Sequence, residues 1–264
     1  MSNSCVIAGT VRNCGKYLDK VFVNMEKLGA LFDEFVIMIS YDKSSDNTLA
    51  KIKAYQVEHK NVYLFINGGP LSPHRTHNIA AARNKCIQKI RDDYSHYKYF
   101  IMMDCDDVCS NEVKIPVLHK YLIEENDSKW DCLTFNKRPY YDTWALSIGP
   151  LAFSCHHVKD GANPLWAKYV NTQIRATQPG NLIPCYSAFN GFGIYKTEKF
   201  INCVYDGRIR LDLIPKRLLN ANLRVTGPFV FHKMPYQDCE HRSFHFQAIH
   251  KTQARIRIAP EVLF

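Results

Sequence analysis

The chain has 264 residues, 46% of them hydrophobic and 12% aromatic, and a formal net charge of +9. No apolar run approaches the roughly 20 residues that cross a bilayer, so the composition argues against a membrane-spanning protein and is typical of one large α/β domain. The positive charge predicts an anionic ligand. Lys and Arg are nevertheless spread along the chain without any nucleic-acid-binding motif, which disfavours a nucleic-acid partner.

The N-terminal residues and the cysteines predict a reduced, cytoplasmic protein. Residues 1–4 lead directly into a short apolar segment, without the basic start and longer apolar region of a signal peptide. The ten cysteines are scattered singly and no CxxC occurs. We therefore expect buried thiols in place of disulfides or structural zinc.

The first half of the chain alternates short apolar runs with amphipathic stretches, a pattern typical of βαβ units around a mainly parallel sheet. Strands are predicted at residues 5–9, 34–40, 62–66 and 99–103, with helices between them. Polar loops follow these strands at residues 10–15, 41–47, 67–77 and 104–111. Because ligands bind beyond the carboxyl ends of such strands, we expect the side chains of these loops to converge.

The pattern loosens after residue 130. Strands are predicted at 131–136, 187–195, 224–231 and 255–258, and a helix at 238–251. No repeat or obvious linker divides the chain. We therefore predict a single domain in which residues 1–130 form one ligand-binding half and residues 131–264 form another.

An acidic loop follows the fourth predicted strand, with Asp104, Cys105, Asp106 and Asp107 in succession. Clustered carboxylates repel each other unless a cation neutralises them, and a hard divalent ion that also contacts phosphate oxygens does so. We expect Mn²⁺ or Mg²⁺ here, with Asp104 reaching the ribose or the metal, Asp106 the metal, and Cys105 within the same ligand site. The alternative is that these residues cap the helix that follows.

Three further positions are predicted to contact the same ligand. Thr10 and Arg12 follow the first strand, and Asp42 follows the second, where a carboxylate can accept from a base or a ribose hydroxyl. Asp46, in the same loop as Asp42, is predicted to cap the next helix. Arg83 falls on the apolar face of a helix predicted at residues 78–91, a costly place unless it meets an anion. That anion is either a diphosphate or a carboxylate of the acidic loop.

The second half of the chain offers candidates for catalysis and for sugar binding. Glu240, and after it Asp238, are candidates for the base that deprotonates an acceptor hydroxyl, although both also suit a helix N-terminus. Trp144 and Asp142 suit a sugar, through ring stacking and hydroxyl contacts, although Trp144 suits the core equally well.

Three histidines are candidates for completing the metal shell. His232 ends a predicted strand, and His241 and His245 are four residues apart on one helical face, a spacing found among metal ligands. The alternative is that each has a structural role.

Three segments together carry a family resemblance: residues 79–85 (IAAARNK), 104–108 (DCDDV) and 140–146 (YYDTWAL). Their order resembles the fungal Cap59-like and α-1,3-mannosyltransferase group, and also the compact glycosyltransferases of large DNA viruses. The pair Asn190-Gly191 and the segment Cys239-Glu240-His241 extend the resemblance, which covers roughly residues 5–260.

The resemblance implies a GT-A fold and transfer of a hexose from a UDP- or GDP-sugar to a glycan or protein-linked acceptor. It also implies sugar contacts for Asn190 and Gly191, and viral glycosylation in a host cytoplasm. The fungal acidic loop is closer to Asn-Asp-Val. The Asp-Cys-Asp-Asp found here indicates a metal-dependent member.

Two other functions use parts of the same pattern. A nucleotidyltransferase would share the acidic loop, but the segment Gly9-Thr10-Val11-Arg12 matches its glycine- and lysine-containing signature poorly. A non-catalytic binder of polyanions or nucleic acid rests on the net charge alone.

Overall fold

Eight strands form one sheet in the computed structural model of the protein, which describes residues 3–159 and 162–264. The strands are β1 (Ser4–Val11), β2 (Glu34–Tyr41), β3 (Val62–Ile66), β4 (Tyr99–Asp104), β5 (Cys132–Asn136), β6 (Ile183–Cys185), β7 (Phe192–Lys196) and β8 (Ile256–Val262). Their order across the sheet is β3-β2-β1-β4-β7-β5-β8-β6. The predicted mainly parallel α/β sheet is confirmed.

The helices cover both faces of this sheet. They are α1 (Leu18–Gly29), α2 (Thr48–Glu58), α3 (Arg75–Asp93), α4 (Ile115–Leu122), α5 (Glu124–Asp127), α6 (Ala162–Ala176), α7 (Thr197–Phe200), α8 (Lys216–Thr226) and α9 (Glu240–Thr252). Short 3-10 helices occur at Asp107–Cys109, Cys155–His157 and Leu211–Leu213. One buried cluster contains apolar side chains of α1 and α4, and another contains those of α3, α6 and α9. The sheet is therefore sandwiched between two apolar layers.

The order in which the strands are added to the sheet reverses at β1. Strands β2 and β3 extend the sheet on one side of β1 in parallel, whereas β4 pairs in parallel on the other side. In this register Thr10 lies opposite Asp104. Ligands bind at such a switch point, beyond the carboxyl ends of the strands. The topology therefore brings the loops after β1, β2 and β4 to one edge.

Two predicted strands in the second half needed correction. The strand predicted at 224–231 is wrong, because residues 224–226 are the last turn of α8, which ends at Gly227 with φ of 74°. The strand predicted at 187–195 starts only at Phe192. Asn190 and Gly191 have φ of 56° and 89°, values that a strand does not accommodate.

The remaining sequence predictions about the fold were close. Helix α3 starts at Arg75, three residues before the predicted start, and α9 starts two residues after its predicted start. All ten cysteines are buried, as predicted, and none of them forms a disulfide. In the part of the chain that the structure describes, no helix has the length and apolar character needed to cross a membrane.

Candidate active site

A cavity of about 430 Å³ opens at the carboxyl ends of β1, β2 and β4. Its size is typical of a small-molecule site. The start of α3, the 141–144 segment and the start of α9 complete its walls. It is lined by Thr10, Val11, Arg12, Cys14, Ser40, Asp42, Arg75, Asn78, Ile79, Ala82, Arg83, Asp104, Cys105, Asp106, Tyr141, Asp142, Trp144, Phe189, Cys239, Glu240 and His241.

Carboxylates outnumber cationic groups in this cavity. Five carboxylic side chains and three guanidinium groups line it, so with all of them ionised its charge is −2. Burial, with repulsion from Asp106, Asp142 and Glu240, raises the pKa of Asp104 to about 7 despite the opposing effect of Arg83. Burial also raises the pKa of Asp106, Asp142 and Glu240. The cavity thus has an excess of negative charge that a bound cation would relieve.

The acidic loop combines a capping contact with exposure to the cavity. One carboxylate oxygen of Asp106 accepts from the Val108 amide at 3.1 Å, so the capping alternative describes part of its role. Asp104 lies 3.2 Å from Arg83 and accepts from the Tyr141 hydroxyl at 3.3 Å. The side chain of Cys105 is buried against Gly9, where an added Cβ would lie 2.4 Å from its Sγ. Gly9 therefore permits the close approach of β1 to the acidic loop.

The carboxylates suit one type of metal site. No group of three or more His, Cys, Asp or Glu side chains is placed to chelate an ion within residues 3–159 and 162–264. Mg²⁺ and similar ions, however, are commonly held by one or two carboxylates together with water and substrate phosphates. Asp104 and Asp106 fit that arrangement, because both line the cavity and both carry carboxylates with raised pKa.

Arg83 joins the acidic loop to the start of α9. Its side chain is buried, lies 3.2 Å from Asp104 and 3.3 Å from Glu240, and stacks over Phe189 at 4.5 Å. The carboxylate of Asp104, in the acidic loop, is one of the two anions predicted to meet Arg83. Because Arg83 also lines the cavity, it remains available to an anionic ligand there.

The three predicted histidine ligands are not brought together. His232 is exposed and does not line the cavity. His241 lines the cavity, but its ring stacks on Phe189 with centroids 3.7 Å apart. His245 is fully buried, with its ring nitrogens 3.0 Å from the Ser187 hydroxyl and 3.2 Å from the Tyr195 hydroxyl. The spacing of four residues reflects packing of α9 against the sheet.

Burial gives His245 a measurable effect on stability. Its pKa is lowered to about 3, whereas a histidine of the unfolded chain titrates near 6.5. The unfolded state therefore binds more protons between these values, and stability falls as pH drops below about 6.5. In His245→Gln the unfolding free energy should fall less steeply between about pH 6 and 4, by about 1.4 kcal/mol per pH unit. Denaturant titrations at several pH values measure this. Identical slopes for His245→Gln and the unmodified protein would contradict the assignment.

The loops after β1 and β2 place their predicted residues on the cavity. Thr10, Arg12 and Asp42 all line it. Asp42 is buried and accepts from the Asn67 side chain at 2.8 Å, so Asn67, in the loop after β3, fixes its orientation. Asp46 accepts from the Thr48 amide, the first of α2, at 3.1 Å, so it satisfies a helix-end donor from the position before the N-cap residue Asn47.

Asp142 and Trp144 both line the cavity. Trp144 also packs against the core, a position compatible with either predicted role. Its indole nitrogen has no hydrogen-bond partner among the described residues. Asp142 accepts from the amides of Ala145 at 3.1 Å and Asn190 at 3.3 Å, so its carboxylate also holds the local backbone.

Asn190 and Gly191 lie behind the cavity wall and are not among its lining residues. The side-chain oxygen of Asn190 accepts from the amides of Tyr141 and Asp142 at 3.3 and 3.2 Å. The Gly191 carbonyl accepts from the Asp104 amide at 2.9 Å. This corner therefore supports two walls of the cavity, in place of the direct sugar contacts that the resemblance implies.

Asp238 supports the same region from outside the cavity. Its carboxylate lies 2.8 Å from the Arg242 guanidinium, and both side chains are buried. Arg242 also donates to the carbonyls of Trp144 and Leu146 and to the Ser147 hydroxyl. The pair thus connects α9, which begins with Glu240, to the segment that carries Trp144. This arrangement suits a positioning role for Asp238 better than direct proton transfer.

Arg242→Lys should loosen that connection. A lysine keeps the charge opposite Asp238 but lacks the planar fork that reaches two carbonyls, so we expect a loss of about 2 kcal/mol of unfolding free energy. Iodide quenching should also increase, because Trp130 and Trp166 are fully buried and Trp144 is the partly exposed indole. Arg255→Lys is the matched control, since Arg255 makes a similar forked pair with buried Asp131. Equal quenching in both variants would argue against positioning of Trp144.

Several lining residues were missed by the sequence analysis. Arg75 and Asn78 line the cavity from the start of α3. Both lie in or next to a loop that was expected to converge on the site, so the signal was present. Tyr141 belongs to the YYDTWAL segment, but its contact with Asp104 depends on the fold. Phe189 had no sequence signal.

Comparison with known proteins agrees with this geometry. The family model described as Glycosyl transferase family 2 matches residues 7–192. S. aureus TarS (residues 1–349) is similar in structure with a TM-score of 0.50 and 13% identity, over 98% of this chain and 59% of that one. GalNAc-T7, solved with UDP, GalNAc and Mn²⁺, has a TM-score of 0.51 and 11% identity, over 98% of this chain and 43% of that one.

These structural likenesses show a shared fold, which is the predicted GT-A type. The chain spans less than two thirds of the length of either solved protein. No curated protein sequence matches it significantly.

Proposed function

Since the chain belongs to glycosyl transferase family 2, we propose that it transfers a hexose from a UDP- or GDP-sugar to a glycan or protein-linked acceptor. The observation that carries this proposal is the convergence of Asp42, Asp104, Asp106, Arg83 and Glu240 on one cavity at the switch point of the sheet. Family membership favours sugar transfer over nucleotidyl transfer. A non-catalytic polyanion binder would not need this cavity.

The donor is proposed to lie across the carboxyl ends of β1, β2 and β4. Asp42 accepts from the base or ribose, while Thr10 and Arg12 line the neighbouring wall. Arg12 and Arg75 supply positive charge for the diphosphate. Residues 1–130 form the donor half of this single domain, and residues 131–264 the acceptor half.

A divalent cation, Mn²⁺ or Mg²⁺, is proposed to accompany the donor. A diphosphate would otherwise enter a cavity that already has an excess of carboxylates, and repulsion would oppose its binding. Asp104 and Asp106 would hold the ion, which neutralises phosphate charge when bound. GalNAc-T7, which shares the fold, was solved with UDP and Mn²⁺.

Glu240 is the proposed catalytic base. Its side chain is buried, lines the cavity and lies 3.3 Å from Arg83. It takes the proton of the acceptor hydroxyl as that oxygen bonds to the anomeric carbon and the bond from this carbon to the diphosphate breaks. Burial raises the pKa of Glu240, which strengthens it as a base. Asp142 and Trp144 flank the space left for the sugar.

We also propose membership of the subgroup that contains the Cap59-like enzymes and the glycosyltransferases of large DNA viruses. Support comes from the YYDTWAL segment, because Tyr141, Asp142 and Trp144 all line the cavity. The full acidic loop supports a metal-dependent member of that subgroup.

A thermal-shift screen tests the proposed function. UDP-, GDP- and dTDP-sugars are added with and without Mn²⁺, and one nucleotide class should raise the Tm only when the metal is present. At a ligand concentration one hundred times its Kd, the stabilisation is about 2.7 kcal/mol. The free sugar and Mn²⁺ alone are the controls. No shift with any nucleotide sugar would overturn the transferase proposal.

A further inference from the structure

The net charge is distributed unevenly along the chain. Residues 1–136 carry 17 basic and 17 acidic side chains, whereas residues 137–264 carry 17 basic and 8 acidic ones. The whole net charge of +9 therefore lies in the second group. Within it, no Asp or Glu occurs in residues 161–197 or 213–237.

These two acid-free stretches pack on one segment of the structure. Helix α6 contacts the 3-10 helix Cys155–His157. Asn222 of α8 accepts from the Phe153 amide at 2.8 Å, and the Val230 amide donates to the His157 carbonyl at 2.8 Å. Residues 153–157 therefore contact both cationic stretches, and together with them form what we call the cationic layer.

That layer adjoins the cavity. The ring of His156 packs edge-on against Trp144 with centroids 5.1 Å apart. Trp144 in turn lines the cavity, on the wall proposed for the acceptor. A molecule lying on the cationic layer can therefore extend past Trp144 toward Glu240.

Five cations form what we call the basic surface: Lys168, Arg175, Lys216, Arg217 and Arg224. All five are exposed, and none forms an ion pair with a carboxylate that the structure describes. Lys168 and Arg175 are seven residues apart on α6, and Arg217 and Arg224 are seven apart on α8. In a helix this spacing puts both members on one side, about 10 Å apart. The basic surface thus presents regularly separated positive charges.

We propose that the basic surface binds an anionic glycan polymer bearing phosphate or carboxylate groups, whose end enters the cavity as the acceptor. This inference rests on the proposed function and specifies its acceptor class. Charge complementarity favours an anionic polymer as the ligand. A single ion pair at a protein surface contributes little binding free energy, so several contacts spaced along one polymer are needed for strong binding.

A glycan fits this surface better than a membrane or a nucleic acid. Leu218, on the apolar side of α8, is buried in a cluster with Phe153 and Phe246, so it is not available for insertion into a bilayer. Phe229 and Phe231 pack against Phe153, so they do not form a platform for stacked bases.

Charge reversal on α8 tests the proposal. Binding of labelled polygalacturonate, phosphorylated dextran and neutral dextran is measured at low and high salt. The double variant Arg217→Glu/Arg224→Glu should bind the anionic probe about tenfold more weakly, because reversal removes attraction and adds repulsion at two sites. Neutral dextran should not bind. The carboxylate and phosphate probes show which anionic group is preferred.

The double variant Lys53→Glu/Lys60→Glu is the matched control. It makes the same change in net charge at exposed positions on and next to α2, in the donor half, and should bind like the unmodified protein. Equal weakening in both variants would overturn the proposal, since only total charge would matter. Tighter binding to vesicles of phosphatidylcholine and phosphatidylserine, or to duplex DNA, than to both anionic glycans in the same buffer would also overturn it.

The donor screen separates this proposal from the proposed function. Arg217→Glu/Arg224→Glu should keep the metal-dependent Tm shift with nucleotide sugar, since neither residue lines the cavity. Loss of that shift in the variant would contradict the proposal that the acceptor-binding surface is separate from the donor site. If no nucleotide sugar shifts the unmodified protein, the transferase function fails regardless of polymer binding.

Discussion

Asp106→Asn is expected to lower kcat about a thousandfold and to remove metal-dependent nucleotide binding. The neutral amide is a poor ligand for a hard divalent cation, so several kcal/mol of charge stabilisation on the departing diphosphate are lost. Folding should persist, because the amide oxygen of Asn still accepts from Val108. Initial rates and the Tm shift with nucleotide sugar and Mn²⁺ measure the two effects.

Asp46→Asn is the matched control for this change. Asp46 accepts from the Thr48 amide two residues on, as Asp106 does from the Val108 amide, but it does not line the cavity. Its replacement should affect stability with little effect on kcat. Full activity of Asp106→Asn, or an equal loss in Asp46→Asn, would refute the metal-binding role of Asp106.

Glu240→Gln should lower kcat by about 10²- to 10⁴-fold while leaving donor binding in place. The amide is nearly isosteric but cannot accept the acceptor proton. The pH dependence gives a second readout. Since the base acts when deprotonated, the kcat/KM of the unmodified protein should fall as pH drops below the raised pKa of Glu240. At saturating Mn²⁺, which displaces protons from Asp104 and Asp106, the variant should lack this acidic limb.

Asp238→Asn tests the other candidate base. Asp238 is paired with Arg242 and does not line the cavity, so its replacement should cost stability and leave the acidic limb in place. Rates are compared at a temperature at which both variants are folded. If Asp238→Asn loses the acidic limb and Glu240→Gln keeps it, the two roles must be exchanged.

The donor side of the site was more predictable from sequence than the acceptor side. Thr10, Asp42 and Asp104 each follow a strand with a strong apolar pattern, and parallel strands place their carboxyl ends together. Their convergence therefore follows once the strands are recognised and pair in parallel. The partner of Arg83 was less predictable, because Glu240 lies far along the chain and reaches Arg83 only after α9 packs beside α3.

The second half was harder to predict because its contacts are non-local and its backbone is irregular. The apolar run at 224–231 was consistent with a strand, but in the structure Val225 belongs to α8 and Phe229 packs against Phe153. A short apolar run does not distinguish these outcomes. Asn190 and Gly191 were recognised as important, and an Asn-Gly pair favours the positive φ values found there. Their supporting role depends on hydrogen bonds to Asp104, Tyr141 and Asp142, which are far away in the sequence.

The Asn190-Gly191 corner limits how freely this site can evolve. The same two residues hold the backbone of the acidic loop, through Asp104, and that of Tyr141 and Asp142, which also line the cavity. A Cβ at Gly191 would also meet a Val108 methyl at 2.2 Å. Substitutions at the corner would therefore disturb the walls proposed to bind donor and acceptor at once. Laboratory evolution toward a new acceptor should accept changes at Trp144 or on the exposed helices long before it accepts any at this corner.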